Sequence, residues 1–95
     1  MNISNLPSAI KVVFGLTIPE ICSKRKLDWM VYARKVYSVI LITEFNLSDE
    51  AIAGLTGRDR TTVYGYRKNW KDWDKYDAVF SELLKSVKNQ ANSLH

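Results

Sequence analysis

The chain is predicted to be an all-α, compact helical bundle of five to six helices that contains a helix-turn-helix and forms a single domain over residues 1–95. Apolar residues recur at helical spacing through most of the chain, and no strand-like alternation of useful length interrupts them. Ser, Thr and Asp stand just ahead of those stripes, where helices begin, and Gly or Asn stands just after them. Residues 48–71, SDEAIAGLTGRDRTTVYGYRKNWK, place a capped short helix, a glycine turn and a second helix in immediate succession.

Taken in order, Pro7 and Ser8 open a first helix whose Ile10, Val13 and Phe14 share one face, and Gly15 ends it. Thr17-Ile-Pro-Glu20 reads as a capping box over one short turn, and the basic loop Lys24-Arg25-Lys26 follows. Asp28 is expected to cap a long helix running to Phe45. Trp29, Met30, Val31, Ala33, Val36, Tyr37, Ile40 and Leu41 make it the most buried element, and its polar stripe includes Arg34, Lys35 and Ser38. Asn46 is a plausible stop. Ser48 caps the first motif helix, whose opening Asp49 and Glu50 suit the dipole. The second motif helix is expected from about Arg60 to Trp70 with Asp59 as N-cap. A last helix follows, with its stripe on Trp73, Tyr76, Val79 or Phe80, Leu83 and Val87. The core is expected over about 8–87, with the tail 90–95 frayed.

The 46% hydrophobic content excludes disorder, and the longest apolar run, Val36 to Phe45, is broken by Ser38, Thr43 and Glu44, so no membrane span is expected. The opening MNISNLPSAIKVVF lacks a positively charged n-region, which argues against a secretory signal. A lone Cys22 gives no disulfide framework, so a reducing cytoplasmic setting is the default, and the thiol reads as a small buried group rather than a nucleophile. Enzymatic chemistry finds no support: the only His is His95, and neither metal-ligand spacing nor a glycine-rich phosphate loop is present. No cofactor is expected.

Within the motif, Ile52 and Ala53 fall where the two helices must approach, Gly57 supplies the positive φ of the turn, and Val63 and Tyr66 take the inner face of the second helix. Asp59, Arg60, Thr61, Tyr64, Gly65 and Lys68 are left on the outer face, at the positions a recognition helix presents to a major groove. Thr methyls can meet a thymine C5-methyl while their hydroxyls bond base or phosphate, although a Thr pair beside Asp59 can also simply extend the cap. Arg58 can touch a DNA backbone or pair with Glu50 or Asp49. Trp70 and Trp73, at a helix junction, read as core rather than as a base-stacking platform. The formal charge of +4 is concentrated in residues 20–71, with ten Lys/Arg against six Asp/Glu, whereas residues 72–95 hold three against four. Such a footprint, coinciding with a helix-turn-helix, matches a polyanionic partner.

The order basic loop SKRK, long helix with Ala33-Arg34, Ser-capped short helix and GRDRTTV resembles the C-terminal duplex-binding domain of the bacterial replication initiator DnaA, a TrpR-like helix-turn-helix whose signature is Gly-Arg-Asp-His-Thr-Thr-Val. The resemblance spans about residues 8–87, and Gly57, Arg58, Asp59, Thr61, Thr62 and Val63 match the signature. It implies Asp59, Thr61 and Thr62 at the major groove, Arg34 on phosphate, and Lys24, Arg25 and Lys26 toward the minor groove. Two departures stand out. Arg60 replaces the signature His and can bind guanine O6/N7 in bidentate fashion, and the minor-groove Arg aligns with Lys26, with Arg25 close enough to substitute. The initiator's ATPase module has no counterpart in these residues.

The expected DNA contacts are therefore Lys24, Arg25, Lys26, Arg34, Lys35, Ser48, Arg58, Asp59, Arg60, Thr61, Thr62, Tyr64 and Lys68. They suit a stand-alone, sequence-specific double-stranded DNA-binding protein of a bacterium, phage or mobile element. It would act as a monomer or weak dimer, in transcription regulation or as an accessory or competitor at a replication origin. The alternative is a non-enzymatic protein-interaction module, such as a phage protein occupying a host replication or transcription factor.

Overall fold

The computed structural model describes residues 1–24 and 27–93, and every regular element among them is helical. A 3₁₀ turn at Ile3–Asn5, capped by the Asn2 side chain, leads into α1 (Leu6–Phe14), which begins two residues before Ser8. Gly15, at φ 71°, ends α1 and returns its amide to the Lys11 carbonyl. In α2 (Ile18–Ile21) the capping box is complete: the Glu20 amide donates to Thr17 Oγ1 at 3.4 Å and the Thr17 amide to Glu20 Oε1 at 3.0 Å.

Ten of the sixteen residues of α3 (Asp28–Thr43) are buried, so this helix is the axis on which α1, α2, α4, α5 and α6 are hung. Leu27, not Asp28, holds the N-cap position, and Asp28 instead contributes a first-turn carboxylate favourable to the dipole. α3 stops at Thr43, short of Phe45. Thr43 Oγ1 bonds the Val39 carbonyl, Asn46 adopts φ 52°, and the Leu47 amide turns back to the Leu41 carbonyl. The expected polar stripe of α3 does not face solvent. Arg34 is 4% exposed and Ser38 fully buried, its hydroxyl without a partner among the described residues.

α4 (Asp49–Thr56) starts at Ser48, whose Oγ accepts the Ala51 amide at 3.1 Å, and α5 (Arg60–Tyr76) starts at Asp59. α5 runs six residues past Trp70, because nothing from Lys71 to Tyr76 breaks a helix. The break comes at Asp77, whose backbone (φ −112°, ψ 98°) leaves the helix and whose carboxylate accepts the Phe80 amide at 3.1 Å, capping α6 (Ala78–Ser93). The expected closing stripe is accordingly divided between two helices. Trp73 packs from α5 edge-on against both Tyr66 and Phe80, while Phe80, Leu84, Val87 and Ala91 form the buried line of α6. Tyr76 (76% exposed) and Val79 (51%) flank the break and lie outside the core.

Candidate nucleic-acid interface

The connection between α4 and α5 is three residues, Gly57 to Asp59. Gly57 sits at φ 67°, and the amides of Gly57 and Arg58 both return to the Ala53 carbonyl, closing α4 in a left-handed cap that a residue with a β-carbon enters only under strain. Ile52 and Val63 are fully buried between the helices, and Ala53 packs half-buried against the same core. A second tie, not anticipated from sequence, fixes the pair. Arg67 Nε meets Asp49 Oδ1 at 2.7 Å and its Nη2 donates to the Leu47 carbonyl at 2.9 Å, bracing the middle of α5 against the start of α4. The readable signal was Arg67 one turn after Val63, on the packed side of α5, with a carboxylate waiting in the first turn of α4.

The first turn of α5 divides the residues expected to read DNA. Asp59 Oδ1 accepts the Thr62 amide at 2.7 Å, and this bond, reinforced by the Thr62 hydroxyl, holds the carboxyl below the usual carboxylate range. Thr62, half-buried, thus belongs largely to the cap. Arg60, Thr61, Tyr64 and Lys68 are exposed, Tyr64 to 57%, and their side chains have no hydrogen bond or ion pair among the described residues. From Arg60 to Lys71 the helix carries four cations, Arg60, Arg67, Lys68 and Lys71, and no carboxylate. Only Arg67 of these is in an ion pair. One face of α5 is therefore positively charged, with its polar groups available to a partner.

The two arginines of the preceding elements are placed differently from expectation. Arg34, expected on phosphate, is buried; its Nη1 donates to the carbonyls of Ile21 (3.0 Å) and Ser23 (3.3 Å), and Tyr66 lies against the same guanidinium. Burial, and then the nearby charge of Arg58, lowers its pKa from the usual arginine value. Arg58 pairs with neither Glu50 nor Asp49. Its Nη2 donates to Ser23 at 2.7 Å and its Nη1 to Cys22 and Gly57, each at 3.4 Å. The two guanidiniums together satisfy the orphan carbonyls at the end of α2 and hold that end against the turn before α5. Long polar side chains reaching buried carbonyls leave no local pattern in sequence.

Lys24, exposed, continues from this clamp, while Arg25 and Lys26 lie outside the described residues. Lys35 is half-buried with its ammonium 4.5 Å from the centroid of Trp73, so its charge is partly committed to a cation–π contact. Ser48 is exposed but its Oγ serves the α4 cap. Cys22 is half-buried, donates from Sγ to the Leu55 carbonyl at 3.4 Å, and its thiol pKa is pushed up by burial. Among the described residues no three His, Cys, Asp or Glu side chains converge as metal ligands, and no helix is long and apolar enough to cross a membrane.

Compared with family models, curated proteins and solved structures, the chain matches none.

Proposed function

We propose that the protein binds double-stranded DNA sequence-specifically, with the N-terminal half of α5 in the major groove and the basic loop 24–26 on the adjacent minor groove. The observation that carries this reading is the exposed α5 face of Arg60, Thr61, Tyr64 and Lys68, cationic and free of internal partners, on a helix braced by Arg67 and Asp49. Arg60 supplies a planar fork for guanine, Thr61 a methyl and a hydroxyl for a base edge, and Lys68 a point charge for phosphate. Asp59, an anion beside a polyanion, is compatible with this because its oxygens are turned to the helix amides. The clamp of Arg34 and Arg58 supports the second half of the reading, since it brings the chain entering the basic loop alongside the turn before α5.

On this reading the protein is a small DnaA-like, cytoplasmic regulator of transcription or replication that performs no chemistry of its own. In vitro selection from random duplex, followed by binding at increasing salt, tests it. An enriched site bound with an affinity that falls steeply with salt is expected, and the absence of any duplex affinity at physiological salt defeats the reading. A protein-interaction module is the second reading, and one observation favours it. An open apolar groove of about 750 Å³ between α1 and α2, bordered by Pro7, Lys11, Val12, Ile18, Pro19 and Tyr37, could seat a partner segment.

A further inference from the structure

Gly65, half-buried, lies on the side of α5 turned away from the core. At 3.6 residues per turn it is about 200° around the helix from the buried Val63, on the same line as Thr61 one turn before and Lys68 one turn after. A β-carbon there would meet no atom of the chain within 4 Å, and the backbone has no positive φ to relieve, in contrast to Gly57. Nothing in the fold requires glycine at this position. Glycine in a helix interior nevertheless destabilises the helix relative to alanine. Its neighbours along that line, Thr61 and Lys68, are exposed and have free polar groups, so a stretch of backbone without a side chain lies between them at the edge of the cationic face.

We propose that Gly65 is a specificity-determining residue: the missing β-carbon lets base edges on the floor of a major groove come up against the α5 backbone between Thr61 and Lys68. This inference rests on the duplex-binding reading above. Thr61 and Lys68 are seven residues apart, a gap of about 10 Å along the axis, and Tyr64, exposed, is the residue before Gly65. The apolar group that projects into a major groove is the thymine C5-methyl, which fits such a gap against the glycine methylene. A methyl at residue 65 would lift the helix outward and lengthen the base contacts of Arg60 and Thr61 together. Phosphate contacts made by flexible lysines would be largely spared.

The test compares the wild-type chain, Gly65→Ala and Gly54→Ala on the duplex enriched by selection with the wild type and on a scrambled duplex of equal length. Gly54 is an exposed α4 glycine whose added β-carbon likewise meets nothing, and it turns away from the buried Ile52. Both variants are expected to raise the melting temperature, by about 2–8 °C. Only Gly65→Ala should weaken binding to the selected duplex, by about tenfold, the scale of discrimination at a single base pair, with the scrambled duplex held as before. A Gly65→Ala protein that keeps wild-type affinity for the selected site overturns the inference, as does an equal weakening on both duplexes. If the wild type itself binds no duplex, the functional reading falls first and this inference with it.

Discussion

Arg58 and Ser23, thirty-five residues apart, are joined by a 2.7 Å hydrogen bond from guanidinium to carbonyl. Arg34 reaches the same carbonyl at 3.3 Å, so one backbone oxygen is held by two cations, one from α3 and one from the turn between α4 and α5. The arrangement couples the residue before the basic loop to the residue before the α5 cap. If the two surfaces read adjacent grooves, their spacing is set by this clamp and not by the loop itself.

Removing the clamp therefore acts first on stability. Arg58→Ala takes the guanidinium from the Cys22 carbonyl and leaves the Ser23 carbonyl to Arg34 alone, and should cost about 1–3 kcal/mol in urea denaturation. Arg34→Met, which strips the buried Ile21 carbonyl of its donor, should cost at least as much. An Arg58→Ala protein as stable as wild type would show that this guanidinium is spare in solution and free for phosphate.

What could be read from sequence followed the range of the interaction. Thr17 with Glu20, Ser48, Asp59, Gly15 and Gly57 all act within a few residues of themselves, and their caps are where local chemistry puts them. The α5–α6 boundary was missed because Asp77 ends one helix and caps the next with neither Gly nor Pro to mark it. The fates of Arg34, Arg58 and Lys35 depend on what the fold brings within reach of a long side chain: the carbonyls at the end of α2 for two of them, the Trp73 ring for the third. Arg34 and Lys35 read as part of a polar stripe only because their partners are distant in sequence.

Thr61 and Thr62 are adjacent but should separate on mutation. Thr61→Ala removes an exposed side chain with no internal partner, so the melting temperature should hold while specific affinity falls by about 1–3 kcal/mol. Thr62→Ala removes the hydroxyl that supports Asp59 and should lower stability as well. Denaturation paired with a competition assay on the selected and a mismatched duplex separates the two. Unchanged selectivity in Thr61→Ala would remove Thr61 from the reading surface.

Two caps give stability a pH dependence. The Thr62 amide holds the Asp59 carboxyl down, and the Phe80 amide, with the Tyr32 hydroxyl, does the same for Asp77. A carboxyl depressed on folding contributes stability that is fully present above its unfolded pKa, about 4, and is lost as pH falls through the lower folded value. Stability should decline on acidification below about pH 4, and Asp59→Asn with Asp77→Asn, which keep an acceptor without the charge, should flatten that decline. A double variant whose acid limb superimposes on wild type would assign the decline to other carboxylates.

On the proposed reading, binding as a monomer would depend on the basic loop. Lys24 leaves the clamped end of α2 exposed, and Arg25 and Lys26 follow it in sequence before α3 begins. With the loop on a minor groove and α5 in the neighbouring major groove, one domain gains two points of attachment, whereas a lone helix-turn-helix commonly relies on a dimer and paired half-sites. Replacing Lys24, Arg25 and Lys26 together by Ala should weaken selected and random duplex alike. The slope of log K against log salt should flatten by about 0.9 for each phosphate that the loop no longer neutralises. If Arg25 or Lys26 enters the groove rather than resting on its rim, preference for A·T pairs flanking the site should fall as well, because a narrow A·T minor groove concentrates the negative potential that draws such side chains in. Wild-type affinity and salt slope in the triple variant would reduce the loop to a solvated charge cluster. The recognition face of α5 would then need a second copy of the chain to hold its site, and the enriched duplex should show two half-sites about one helical turn apart.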